Sequence, residues 1–213
     1  MRHFVIGDIH GRITALKQCL ELSGFDMDRD MLISLGDVCD RGDFVKESFD
    51  LLLKIKYLKY VLGNHDKWFL KWAITGKLEF QYGEESIKSY KGEAVPESHI
   101  NLLQNSSLYY LLDNRLFVHA GIDVYKPLRQ QTEFDFLWNR SLVEMIMKSG
   151  ENPKTPFDEI FVGHTPTTVY NYEKPILVNG IVMMDTGAGK GGKLTIMNVE
   201  TKEFWQSKKT GEK

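Results

Sequence analysis

Cysteine is scarce: Cys19 and Cys39 are the two in 213 residues, too few for a disulfide framework and in keeping with a reducing compartment. Long apolar runs are absent as well. The chain opens MRHFVIGDIH, and its first run, over 4–6, stops at Gly7 and Asp8. That is too short for a signal peptide, and no window approaches a membrane span. A cytoplasmic protein with no membrane partner is therefore expected. Neither sign of charge dominates, since 27 Lys and Arg against 29 Asp and Glu leave a net −2. This excludes a broad electrostatic grip on nucleic acid but leaves room for a local positive pocket. Repeats, low-complexity tracts and linkers are also missing. With 42% hydrophobic and 26% charged residues, the length suits one core, so a single domain over 1–213 is expected. Its last six residues, KKTGEK at 208–213, read as a disordered tail.

What the chain does have is a recurring unit of apolar run, glycine, polar cluster and amphipathic helix. Residues 3–7 read as a strand, followed by a helix over 12–22 on which Ile13, Leu16, Cys19 and Leu20 form one stripe. Residues 31–35 and 58–62 repeat the run, followed by helices near 44–56 and 66–74. Alternation of this kind indicates an α/β architecture, whose ligands bind beyond the carboxyl ends of the strands. Residues 107–119 read as a hairpin turning at Asp113-Asn114. Further strands near 159–163, 176–185, 193–198 and 202–206 are expected to form a second sheet, antiparallel or mixed.

The polar clusters sit at those strand ends. Asp8 and His10 follow the first strand, Asp37 the second, Asn64 the third, His119 the hairpin and His164 the run ending in Gly163. Each sits within a glycine-bearing sequence that lets the backbone turn sharply. Carboxylate, imidazole and amide donors without thiolate suit manganese, iron or zinc in an open site. Six donors are too many for one ion and fit two ions bridged by one carboxylate, with Asp37 the candidate bridge. Such ions, ~3.5–4 Å apart, hold a hydroxide between them and clamp the attacking and leaving oxygens of an in-line displacement. His3 and His99 lie outside these clusters and read as packing residues. Cys39, between Asp37 and Asp40, reads as packing rather than as a nucleophile, because acidic neighbours raise a thiol pKa.

The order Gly-Asp-Ile-His-Gly, Gly-Asp-Val-Cys-Asp-Arg-Gly and Gly-Asn-His-Asp resembles the signature of the calcineurin-like metallophosphoesterases. Asp40-Arg41-Gly42, His119-Ala120-Gly121 and Gly163-His164-Thr165 narrow the resemblance to the phosphoprotein phosphatase branch, and the length is similar to the phage-lambda type and bacterial serine/threonine phosphatases. The matching motifs run from Asp8 to about Gly192. The resemblance implies two mixed sheets packed face to face with helices outside, a four-layer sandwich. It implies one metal on Asp8, His10 and Asp37, and another on Asp37, Asn64, His119 and His164, with manganese expected and iron or zinc as alternatives. His65 would be the general acid that protonates the leaving oxygen, with Asp40 raising its proton affinity. Arg41 and Arg140 would clamp the phosphoryl oxygens bidentately. Asp66 is open between a helix N-cap and a helper behind the ligands.

The expected activity is therefore dimetal-dependent phosphomonoester hydrolysis, a serine/threonine protein phosphatase acting on a phosphoprotein or phosphopeptide. No obligatory regulatory subunit is evident. Gly-His-Thr-Pro at 163–166 lacks the second histidine common among nuclease relatives, which argues against nucleic acid. The alternative is a symmetrical diadenosine tetraphosphate hydrolase, which shares the metal motifs and an Asp185-Thr186-Gly187 element. In that family alanine tends to stand in the place of Asp40 and chains are longer, so Asp40 and the length favour the protein phosphatase. A non-catalytic binding module would have lost ligands, and none is missing. The aromatics Trp68, Phe69 and Trp72 are read first as the packed face of a helix and second as a wall beside the metals.

Overall fold

Three of the apolar runs become parallel strands; the first two are buried on both faces and need partners at their edges, and the third, half-buried, closes the edge of the sheet. The computed structural model describes residues 1–77, 83–150 and 152–211. Its first half alternates His3–Ile6 (β1), Ile13–Leu22 (α1), Met31–Ser34 (β2), Val45–Leu52 (α2), Tyr57–Tyr60 (β3) and Asn64–Thr75 (α3). Glu84–Ser89 (α4) and Glu97–Gln104 (α5) follow, then the hairpin Tyr109–Leu112 (β4) and Arg115–Val118 (β5), which turns at Asp113-Asn114. Glu133–Leu137 (α6), Ser141–Glu144 (α7), Glu159–Val162 (β6), Ile176–Val178 (β7), Ile181–Met183 (β8), Thr195–Asn198 (β9) and Phe204–Gln206 (β10) complete the chain.

The strands form two mixed five-stranded sheets, ordered β10-β9-β1-β2-β3 and β4-β5-β6-β8-β7. One expectation fails here. The strands near 193–198 and 202–206 do not join the second sheet; β9 pairs antiparallel with β1, and β10 with β9. The open edge of the doubly buried β1 has to be covered, and Ile196 and Met197 on β9 are apolar toward both faces.

Side-chain alternation builds the layers. Val5, Ile33, Phe117, Phe161, Val182 and Met197 meet between the sheets, where Phe117 and Phe161 stack at 4.6 Å. Their neighbours Phe4, Ile6, Leu32 and Ile196 point the other way, against Leu16 of α1, Phe49 of α2 and Phe69 of α3. On the far side Leu116, Val118, Ile160, Val162, Ile181 and Met183 pack against Phe136 of α6 and Leu142 and Val143 of α7. Helix, sheet, sheet, helix is the expected sandwich.

The consequence for the site is positional. β1, β2 and β3 run parallel in one sheet, and β5, β6 and β8 in the other. Their carboxyl ends deliver Asp8, Asp37, Asn64, His119, His164 and Asp185 within four residues of a strand. At the chain's end, Thr210 is buried and its hydroxyl donates to the carbonyls of Ala188 and Gly192. It lies inside the stretch expected to be a tail, of which residues 212 and 213 fall outside the described residues. Among the described residues no helix is long and apolar enough to cross a membrane.

Candidate metal centre and active site

The loops after the strands are held in uncommon backbone conformations. His10, Asp37, Asp40, Arg41 and His164 have φ between 48° and 67°, the left-handed region, at a cost of ~1–3 kcal/mol each. For the Asp37 loop the compensation is visible. The buried Asp66 carboxylate accepts from the amides of Asp37 (2.7 Å), Val38 (2.9 Å) and Cys39 (3.2 Å). It also accepts from Gly63 N–H at 3.1 Å and the Tyr60 hydroxyl at 2.9 Å. Asp66 is thus both the capping partner of α3 and the clasp of the Asp37 loop. Glycine is needed where loops press on ligands: a Cβ at Gly63 would overlap Asp37 Oδ1, and one at Gly163 would overlap Asp8 Oδ1.

Two groups of donors share Asp37. His10, Asp37 and His65 form one, and Asp37, His119 and His164 the other, with the ligand atoms of each within 4.8 Å of one another. Asp37 Oδ2 lies 3.4 Å from His119 Nε2 and 3.9 Å from His10 Nε2. His10 Nδ1 donates to the carbonyl of Cys39, and His119 Nδ1 to that of Leu35, each at 2.7 Å. Carbonyls only accept, so these bonds fix the ring orientations and aim both Nε2 atoms inward. Asn64 Oδ1 lies 2.9 Å from His119 Nε2.

The electrostatics ask for cations. Burial, and then the charge of Asp185, push the Asp8 carboxyl well above the usual range. Burial lowers His10 to about 4 and His164 to about 2, so both are neutral with lone pairs available near pH 7. His164 Nε2 is buried without a hydrogen-bond partner. Burial also opposes charge on His119, but the Asp37 carboxylate outweighs it and raises His119 to about 10. A proton there balances the surrounding carboxylates, a task a divalent ion performs better. The orphaned His164 nitrogen and the carboxylate, imidazole and amide donors fit metal ions.

His65 differs from the other imidazoles. Its Nδ1 lies 2.6 Å from Asp40 Oδ2. Burial disfavours its charge, yet Asp37 and Asp40 more than offset this, and its pKa is raised. The direction of this shift suits a proton donor, and His65 also stands within ligand distance of His10 and Asp37. Asp40 is itself clasped: Ser86 Oγ donates to its Oδ1 at 2.6 Å and accepts from its amide at 2.8 Å.

Asp8, His10, Asp37, Arg41, Asn64, His65, Arg140 and His164 line one cavity of about 250 Å³. Asp40 and His119, both fully buried, stand behind its wall. Asp185, Trp138 and Lys190 also line it. Asp185 was legible in principle, since like Asp8 it follows an apolar strand and has a glycine within two residues; Ser86 carries no such signal. The aromatic trio divides. Phe69 is buried in the core and Trp72 packs against it, whereas Trp68 faces the cavity, its ring 5.0 Å from that of His65. Cys39 is buried, and burial with its acidic neighbours raises its thiol pKa. His99 bonds Tyr90 and Asp50, and His3 pairs with Glu200.

The profile of the calcineurin-like phosphoesterase family matches residues 1–186, and the chain belongs to that family. Its relatives include the bis(5'-nucleosyl)-tetraphosphatase PrpE [asymmetrical] of Bacillus cereus strain AH187, 27% identical over 92% of this chain and 89% of that one. A candidate diadenosine tetraphosphatase of known structure superposes with a TM-score of 0.78 at 18% identity, over 99% of this chain and 95% of that one. A serine/threonine phosphatase from Saccharomyces cerevisiae reaches 0.65 at 15% identity, over 100% and 81%. These two likenesses establish the fold alone. The expected phosphoprotein or phosphopeptide partner is overturned by the relatives that match 92% of the chain, which are named for bis(5'-nucleosyl) tetraphosphates. The physical reason is that the sequence choice rested on Asp40, which bonds His65 behind the cavity and does not reach what a phosphoryl group is attached to.

Proposed function

We propose that this calcineurin-like phosphoesterase hydrolyses bis(5'-nucleosyl) tetraphosphates asymmetrically, adding one water across a phosphoanhydride to give a nucleoside triphosphate and a nucleoside monophosphate. The observation that carries this reading is the relationship over 92% of the chain to PrpE, named as the asymmetrical enzyme. The cavity supports it locally. Trp68 and Trp138, with ring centroids 6.5 Å apart, line the same cavity as Arg41 and Arg140. Indole faces suit nucleobases and guanidinium forks suit phosphates.

In this mechanism Asp8, His10, Asp37, Asn64, His119 and His164 would hold two divalent ions. When bound, the ions supply Lewis acidity and an activated water. Arg41 and Arg140 bind the phosphoryl oxygens and balance charge that grows on them. His65 gives its Nε2 proton to the departing phosphate oxygen, and Asp40 keeps the imidazole oriented and charged for that step. Ser86 holds Asp40.

Incubation of the chain with diadenosine tetraphosphate and manganese, followed by separation of the nucleotides, tests the reading. AMP and ATP in equal amounts are expected. ADP alone would move the cleavage to the middle of the chain, and no nucleotide release would refute the proposal.

A further inference from the structure

A second cavity, of about 200 Å³, opens beside the first and shares Lys190 with it. Its walls continue the two loops that carry His164 and Asp185. Thr168 lies in the turn Thr167–Tyr170 just beyond His164, while Thr186 and Lys190 to Lys193 follow Asp185. Three ammonium groups, those of Lys190, Lys193 and Lys209, face one carboxylate, that of Glu173. Glu173 reaches two of them, Lys209 at 2.9 Å and Lys193 at 3.3 Å. Among the described residues three positive charges less one leave +2 in this cleft, in a chain whose formal net charge is −2. Lys209 is placed by its neighbour: Thr210 N–H donates to the Gly192 carbonyl at 2.8 Å, and its hydroxyl to Ala188 O at 2.5 Å.

We propose that this lysine cleft is a subsite for the distal phosphates of a polyphosphate chain whose reacting phosphoryl group lies in the catalytic cavity. The inference rests on the dinucleoside polyphosphate reading given above and names where that substrate's remaining charge goes. The catalytic cavity is lined by Asp8, Asp37 and Asp185, which repel phosphates that neither the metals nor the arginines engage. A chain with several more phosphates therefore leaves through an opening of opposite sign, and Lys190 stands in the passage. Lysine suits this task, because a compact charge with three rotatable donors follows a flexible chain without demanding bidentate geometry. Glu173 competes with the phosphates for Lys193 and Lys209 and so limits the affinity of the empty cleft.

Two variants of the full chain, Lys193→Ala and Glu173→Gln, move the charge in opposite directions at half-exposed or exposed side chains. The measurement is the dissociation constant of inorganic tetrapolyphosphate relative to that of orthophosphate, by calorimetry with free divalent metal buffered at one concentration. Lys193→Ala is expected to lower the preference for tetrapolyphosphate by about fivefold, and Glu173→Gln to raise it by a similar factor, as one near-surface charge contributes on that order. Unchanged ratios in both variants, or shifts in the same direction, overturn the cleft. Hydrolysis of diadenosine tetraphosphate by the unaltered chain is followed in parallel. Shifted ratios without dinucleotide turnover keep the cleft as a polyphosphate site and remove the nucleotide reading. Turnover with unshifted ratios does the reverse.

Discussion

Replacing Asp66 with alanine removes one carboxylate and strands five donors. The amides of Asp37, Val38, Cys39 and Gly63 and the hydroxyl of Tyr60 all end on it, at 2.7 to 3.2 Å, and the side chain is fully buried. A buried donor left unpaired costs ~1–3 kcal/mol. Water entering the vacated space recovers part of this, so a net loss of roughly 3–5 kcal/mol is expected, the range for breaking a buried charged network. For a domain of this size that lowers the melting temperature by roughly 6–20 °C. Asparagine is no conservative repair, because its NH2 would face N–H groups that need an acceptor. Asp37 sits on the released loop, so divalent metal affinity should fall by about 10–100-fold, as when partners behind metal ligands are lost. Differential scanning calorimetry and a metal titration read the two effects. A variant within about 1 kcal/mol of the parent, with unchanged metal affinity, would refute the assignment of Asp66 as the clasp of the loop.

Two further outcomes separate chemistry from recognition. His65→Asn should reduce dinucleotide turnover by about 10²-fold and that of phenyl phosphate by up to about 10⁴-fold, because the poorer leaving group depends more on the acid; equal losses on both would remove His65 from that role. Trp138→Ala should lower kcat/KM for diadenosine tetraphosphate by about 5–100-fold relative to p-nitrophenyl phosphate, the loss of one base stack, and an equal loss on both substrates would count against base stacking.

Much of this molecule was legible in its residues. The glycine-bearing strand ends named Asp8, His10, Asp37, Asn64, His119 and His164, and the structure gathers all six, because parallel strands must present their carboxyl ends at one edge. What stayed hidden depends on contacts distant in sequence. The pairing of β9 with β1 joins residues nearly 200 positions apart, such as Phe4 and Asn198, and no local pattern reports which sheet a short apolar strand joins. Ser86 lies in an irregular stretch, and its bond to Asp40 exists only once α4 folds over the loop. Trp68 was hard to place because a helix can bury Phe69 and Trp72 while turning the adjacent indole to a cavity. The substrate was misread for a chemical reason. Asp40 favours a protein phosphatase by resemblance alone, whereas its bond to His65 would serve any phosphoryl transfer, and under the proposed function the residues that would distinguish substrates are Trp68, Trp138 and Lys190 of the same cavity.

The shared carboxylate is the centre of this chemistry, and its test is a count of ions. Equilibrium dialysis followed by metal analysis should find two divalent ions per chain in the unaltered protein. In Asp37→Ala both should weaken together, because each donor group loses the same ligand. One ion per chain, or two ions retained by Asp37→Ala with undiminished affinity, would contradict a dimetal centre bridged by Asp37.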